Sequence, residues 1–67
     1  MVKVGQVWKD NDKRIDIYGE RFVTVLEVNE TFAICNSERN KRIRKVRIKL
    51  SRFKPNSTGY VLIQEAK

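Results

Sequence analysis

The fold is decided by residues 42–50, whose sequence is RIRKVRIKL. From residue 46 to residue 50 every second residue is apolar, and the residues between them are charged. This two-residue period predicts a β-strand that buries one face. Arg47 and Lys49 then share the opposite face, and Lys45 extends their row. Successive members of the row are about 6.6 Å apart, which is close to the phosphate spacing along a nucleic-acid strand.

Positive charge is concentrated around this strand. Residues 39–54 contain nine of the fifteen Lys and Arg residues and no acid, whereas the rest of the chain contains six bases and eight acids. The whole net charge of +7 therefore comes from one segment. Such a segment indicates a polyanion as the first partner to consider. The plain alternative is a solvated antiparallel strand, which shows the same alternation.

The length and composition limit the chemistry. The 67 residues make a single domain, 1–67, with a small core and no room for a deep active site. Cys35 is the only cysteine and histidine is absent, so the sequence predicts no disulfide, no zinc site of the usual type and no cofactor. Asp10 and Asp12 do not continue into a calcium-binding pattern, and no metal is expected there. Cys35 is expected to be buried and unreactive, and a homodimer contact stays open as a further source of stability.

The chain predicts five short strands, at residues 4–9, 21–28, 31–36, 42–50 and 60–64. Turn-forming residues separate them at 10–14, 19, 29–30, 37–41 and 56–59. Residues 51–55 end at the only proline and fit a single 3₁₀ turn before the last strand. No stretch predicts a longer helix, an internal repeat or a linker.

Alternation alone leaves open which residues of the second strand face the core, Val23 with Val25 or Phe22 with Thr24 and Leu26. We favour the first set, with Val28 also inward and a bulge near residues 26–27 that bends the strand. The bend suits a small barrel. The other residues expected in the core are Ala33, Cys35, Val46, Ile48, Leu50, Phe53 and Tyr60.

This order of elements predicts an all-β fold, a small five-stranded and strongly bent antiparallel barrel. The residues that mark it form the pattern Gly5-x-Val7-Trp8 … Gly19-x-Arg21-x-Val23-x-Val25 … Ala33-x-Cys35 … Arg52-Phe53-x-Pro55 … Gly59-Tyr60-x-Leu62. The pattern resembles that of the SH3-like barrels. It is similar, over nearly the whole chain, to a group of short uncharacterised proteins of bacteria and their phages.

The resemblance implies a binding module, because SH3-like barrels of this size include nucleic-acid binders related to KOW and Tudor modules. The chain departs from signalling SH3 domains, which carry an acidic loop and an aromatic groove for proline-rich peptides where this chain is basic. Similarity to phage proteins also implies that the protein is phage-encoded or acts on host machinery.

The first functional hypothesis is a nucleic-acid-binding module that contacts the backbone of DNA or RNA and tolerates any base sequence. Trp8 and Tyr18 are candidates to stack on bases. The alternatives are a core or dimer-contact residue for Trp8 and a loop anchor for Tyr18. The basic residues predicted to contact the nucleic acid are Arg39, Lys41, Arg42, Arg44, Lys45, Arg47, Lys49 and Arg52.

The second hypothesis is a protein-interaction module that docks its basic face on an acidic surface of another protein, as an inhibitor or adaptor of a host protein would. An exposed edge strand, or Trp8 with Phe32 and Ile34 on one outer face, would supply the apolar centre. An enzyme is not predicted, because the chain lacks histidine, a glycine-rich phosphate loop and a convincing pair of carboxylates. Asp10, Asp12 and Asp16 are explained by a solvated loop.

No membrane partner is expected. The sequence has no run near 20 apolar residues, no amphipathic helix and, in residues 1–5, no signal peptide. A cytoplasmic location follows, which is the host cytoplasm if the protein is phage-encoded.

Overall fold

The computed structural model describes residues 2–11, 20–39, 41–56 and 59–65. These residues form a five-stranded antiparallel sheet with one 3₁₀ turn before the last strand, which confirms the predicted all-β class. The elements are β1 (Val7–Asp10), β2 (Phe22–Val28), β3 (Phe32–Arg39), β4 (Arg42–Lys49), the 3₁₀ turn Leu50–Arg52 and β5 (Tyr60–Gln64). No helix among the described residues has the length and apolar character to cross a membrane.

The strands lie in the order β4-β3-β2-β1-β5, so β4 and β5 are at the two ends of the sheet. β1 to β4 pair as successive neighbours, and after the 3₁₀ turn the chain returns to place β5 antiparallel to β1. Hydrogen bonds between the described strands do not join β4 to β5, and the pairing is that of an open sheet. β4 is therefore an edge strand, paired through β3 alone.

The core lies on one face of the sheet, which we call the inner face; the opposite side is the outer face. Each strand contributes alternate residues to it, because successive side chains of a strand point to opposite faces. Val46 and Leu50 are partly buried against this core, as predicted. Its buried apolar residues are Trp8, Val23, Val25, Ala33, Cys35, Ile48, Phe53 and Tyr60.

A bulge bends β2 where the sequence predicts one. The register with β3 shifts between Val25, which pairs with Cys35, and Glu27, which pairs with Ile34. Val28 pairs with Ala33 and so lies on the inner face, as predicted, but it is 37 % exposed and is not part of the core. β1 pairs only with residues 22–24 of β2, so it does not reach the end of the strand where this valine lies.

The β3–β4 hairpin is tighter than predicted. A turn was expected at residues 37–41, but β3 continues to Arg39, which pairs with Arg42. Polar composition is misleading here because Ser37 is buried on the inner face with a partner. The Nε of Arg21 donates a hydrogen bond of 2.7 Å to its Oγ. A satisfied serine can therefore occupy a core position of a strand.

The 3₁₀ turn delivers Phe53 to a position between two other aromatic rings. Its centroid lies 5.1 Å from that of Trp8, in an edge-on arrangement, and 5.4 Å from that of Tyr60, in a stacked one. The predicted core positions of Phe53 and Tyr60 are confirmed. Gly59 precedes Tyr60 in a close approach, since a Cβ there would lie 2.0 Å from the backbone oxygen of Lys54. Only glycine fits at that point.

A charged pair is buried beside the apolar core. Asp10 is 1 % exposed, and its Oδ2 lies 3.4 Å from the Nη1 of Arg21. The expectation of a solvated loop is therefore wrong for Asp10, which ends β1 on the inner face. A buried carboxylate needs a compensating partner. Arg21, the residue before β2, supplies it and also binds Ser37, so one guanidinium links β1 to β3.

Replacing Arg21 by alanine should lower the free energy of unfolding by about 3–5 kcal/mol, because it removes the guanidinium that faces the buried Asp10. Urea titration followed by circular dichroism measures the change. The control is Glu20→Ala, which breaks the exposed pair between Lys9 and Glu20, 3.4 Å apart. An exposed pair contributes about 1 kcal/mol or less. Equal losses in the two variants would contradict the structural role given to Arg21.

Candidate nucleic-acid interface

β4 presents three basic side chains on the outer face of the sheet. Lys45, Arg47 and Lys49 are exposed, whereas Ile48 is buried and Val46 is half-buried on the inner face. The predicted division of this strand into a core face and a basic face is therefore confirmed. We call these three side chains the outer basic row. Opposite them on β3 lie, in the same order, Asn36, Ile34 and Phe32.

Arg47 is held over an aromatic ring. Its Cζ lies 4.6 Å from the ring centroid of Phe32 on β3. A guanidinium in this position is attracted by the ring face, by about 0.5–1 kcal/mol at an exposed site. The contact restricts an otherwise long and mobile side chain. Arg47 is thus oriented before any partner arrives.

The charge of the outer basic row is not neutralised within the described part of the chain. There, none of Lys45, Arg47 and Lys49 forms an ion pair with an acid. Two acids lie across the sheet on this face: Glu38 of β3, which pairs with Ile43 and lies diagonally from Lys45, and Glu27 of β2, which pairs with Ile34. The outer face therefore changes from basic on β4, through apolar on β3, to acidic at this position of β2.

The inner face of β4 is also basic near the hairpin. Arg42 and Arg44 are exposed, and they stand opposite Arg39 and Ser37. The Nε of Arg39 is buried and has no hydrogen-bond partner. These arginines share a face with the core but lie beyond its apolar part. The predicted basic residues are therefore divided between two faces and do not form one surface.

Two further predicted residues lie at the ends of β4. Lys41 precedes the strand and has a φ of 68°, in the left-handed region that tight hairpins use. Arg52 follows it in the 3₁₀ turn, and its Cζ lies 5.6 Å from the ring centroid of Tyr60. Both residues are exposed and extend the charge of the edge strand at either end.

Trp8 does not offer a stacking surface. It is 7 % exposed, packs against Phe53, and donates a hydrogen bond of 3.1 Å from its Nε1 to the Oε1 of Gln6. The alternative of a core residue is the correct one. The prediction that Trp8, Phe32 and Ile34 lie together on one outer face is wrong for Trp8, which points inward. Tyr18 lies outside the described residues.

The contact between the guanidinium of Arg47 and the ring of Phe32 is not among those predicted from the sequence. The signal is present in the sequence, but it requires the register of the β3–β4 hairpin. With the turn placed at residues 37–41 the two strands are misaligned, and Phe32 has no assigned neighbour. In the observed register Phe32 pairs with Lys49, and Arg47 reaches it diagonally.

Comparison with known proteins gives no relative of this chain. No family model, no curated protein and no solved structure matches it. The functional conclusion therefore depends on the chemistry of the outer face. The resemblance to SH3-like barrels stays a prediction.

Cys35 is buried in the core, as predicted. Burial raises the pKa of its thiol from 9.0 to about 11, and the nearby charge of Arg21 lowers it only in part. A thiol with so high a pKa is protonated at neutral pH and is a poor nucleophile. Its role in the structure is to fill the core opposite Val25 and Val46.

The buried thiol should make the protein less stable in alkali. The unfolded chain releases the thiol proton near pH 9.0 and the folded chain near pH 11, so this contribution is complete below pH 9 and is lost as the pH rises towards 11. Urea titrations at pH 8, 9 and 10 measure it. Cys35→Ser removes this thiol and should reduce the loss of stability between pH 8 and pH 10. Burial also raises the pKa of Tyr60, which contributes a loss in the same direction. An unchanged pH dependence in Cys35→Ser would contradict this account.

Proposed function

We propose that the protein is a nucleic-acid-binding module that contacts the phosphate backbone through the outer basic row of β4. One observation carries the proposal: Lys45, Arg47 and Lys49 project from the outer face of β4 with no acid paired to them in the described part of the chain. Phosphates are the ligands that such a row of cations suits. The core residues of the same strand face the other way and are not needed for binding.

The binding is electrostatic and tolerant of sequence. The outer basic row consists of lysine and arginine side chains, whose contacts with phosphates carry no sequence information, so backbone contacts dominate. Each phosphate that a cation neutralises releases counterions, and the logarithm of affinity then falls with that of salt by about 0.7 to 0.9 per contact. Three contacts from the outer basic row give a slope of about −2 to −3. A cytoplasmic location agrees with this partner.

We also propose that the sheet is an SH3-like barrel of the kind found in short bacterial and phage proteins. The strand order, the bulge in β2 and the 3₁₀ turn before β5 support it. An NMR structure in solution tests the proposal through distances between β4 and β5. Short distances between the backbones of these strands are expected for a closed barrel, and their absence would leave an open sheet.

A second candidate function is docking on an acidic surface of another protein. It is favoured by Ile43, which is 64 % exposed on the outer face at the end of the basic row. An exposed isoleucine beside cations provides the apolar centre and charged rim that protein interfaces use. Pull-down from a lysate treated with nuclease separates the two functions, because a partner that survives nuclease is a protein.

Reversing the charge of the outer basic row should abolish binding without unfolding the protein. In Arg47→Glu/Lys49→Glu both changes lie on an exposed face, so the thermal midpoint should shift by a few degrees at most. Affinity for mixed-sequence DNA and RNA, measured by fluorescence anisotropy, should fall by at least about a hundredfold, since two phosphate contacts become repulsive.

The matched control is Arg42→Glu/Arg44→Glu, which makes the same change of net charge on the inner face of the same strand. Long-range attraction falls equally in both variants, so a difference between them reports contact with the outer face. An equal loss of affinity in the two variants would contradict the choice of face. Wild-type affinity that does not fall with salt would contradict the proposed function itself.

A further inference from the structure

We propose that the preferred ligand is single-stranded nucleic acid, with its phosphates along β4 and its bases over the neighbouring strand β3. The inference rests on the proposed function and deepens it. It follows from what lies beside the outer basic row. The facing residues on β3 are Asn36, Ile34 and Phe32, and paired strands lie about 4.8 Å apart.

The row on β3 has the chemistry of bases and not of phosphates. Ile34 and Phe32 are half-buried, so each keeps part of an apolar side chain at the surface, and Asn36 adds an amide that can donate and accept hydrogen bonds. A single strand presents phosphates on one side and unstacked bases on the other. A duplex keeps its bases stacked between two phosphate backbones and would leave the apolar row without a partner.

Arg47 makes the surface for the first base. Its guanidinium already lies over the ring of Phe32, 4.6 Å from the centroid. A guanidinium is planar and stacks on aromatic faces, which an ammonium cannot do. Its outer side is therefore a surface on which a base can stack, with Phe32 as support. Arg47 is the arginine of the outer basic row, so its replacement by lysine removes the planar group and keeps the positive charge.

Glu27 on β2 determines which strand the phosphates of the ligand lie over and which strand the bases lie over. Glu27 lies on the outer face next to Ile34, on the side away from Arg47. A phosphate placed over β2 would meet this carboxylate, whereas one placed over β4 meets three cations. The backbone is therefore confined to β4, and the bases extend over β3 towards β2.

The test compares four fluorescent ligands of equal length at one salt concentration: a mixed-sequence DNA single strand, its RNA counterpart, the DNA duplex, and an abasic single strand that has phosphates without bases. Wild-type protein should bind the two complete single strands at least about tenfold more tightly than the duplex or the abasic strand, because base stacking adds to the phosphate contacts. Arg47→Lys keeps the charge and removes the planar group, so it should erase most of that difference. Arg42→Lys makes the same change on the inner face and should shift the affinities by less than about twofold.

The outcomes separate this inference from the proposed function. Equal affinity for complete and abasic strands, or for duplex and single strand, would overturn the placement of bases over β3 while leaving backbone binding in place. A selectivity that Arg47→Lys does not change would overturn the role of Arg47. No binding to any of the four ligands would refute the proposed function as well. Phe32→Ala is informative only if its thermal midpoint stays close to that of the wild type, which is why Arg47→Lys is the deciding variant.

Discussion

The burial of Ile48 opposite Ala33 is the constraint on which the outer face depends. Ile48 is 4 % exposed and Ala33 is fully buried, and the two pair across β3 and β4. Because side chains alternate along a strand, a slip of one residue would exchange the two faces of β4. Lys45, Arg47 and Lys49 would then be driven into the core at a prohibitive desolvation cost. The packing of the core therefore determines which face of β4 carries the cations, although the cations themselves lie on the opposite face.

Most of this arrangement can be predicted from the sequence, because apolar and polar residues alternate clearly wherever a strand has one buried face and one face exposed to solvent. The faces of β4 and the core position of Cys35 follow from it, whereas the bulge in β2 is predicted from the bend that a small barrel requires. The errors occur where a polar residue is buried with a partner. Ser37 and Asp10 look like loop residues until Arg21 is known to lie beside them, and that contact joins parts of the chain that periodicity cannot relate. Trp8 is ambiguous for a similar reason, since its indole nitrogen needs a buried acceptor, which Gln6 provides.

Charge on an edge strand has an ordinary explanation, which is that it discourages pairing with other chains. That explanation accounts for cations on β4, including those on the inner face near the hairpin. It does not account for the choice of neighbours on β3. Keeping an edge soluble would be served by polar residues beside the cations, whereas here Phe32 and Ile34 lie next to them, partly exposed. The contact of Arg47 with Phe32 costs the side chain part of its freedom, which solubility alone does not require.

The separation of binding and folding residues on one strand links ligand binding to stability. Lys45, Arg47 and Lys49 repel one another at spacings of about 6.6 Å, and the fold bears that repulsion when no ligand is present. A polyanion on the outer face removes the repulsion and binds only the folded register, so it must stabilise the domain as well as be held by it. A chain of 67 residues has a small core, and in such a domain a stabilisation of about 1–2 kcal/mol is already a large fraction of the total. The outer basic row therefore slightly destabilises the free protein, and it becomes stabilising when a phosphate backbone lies along β4.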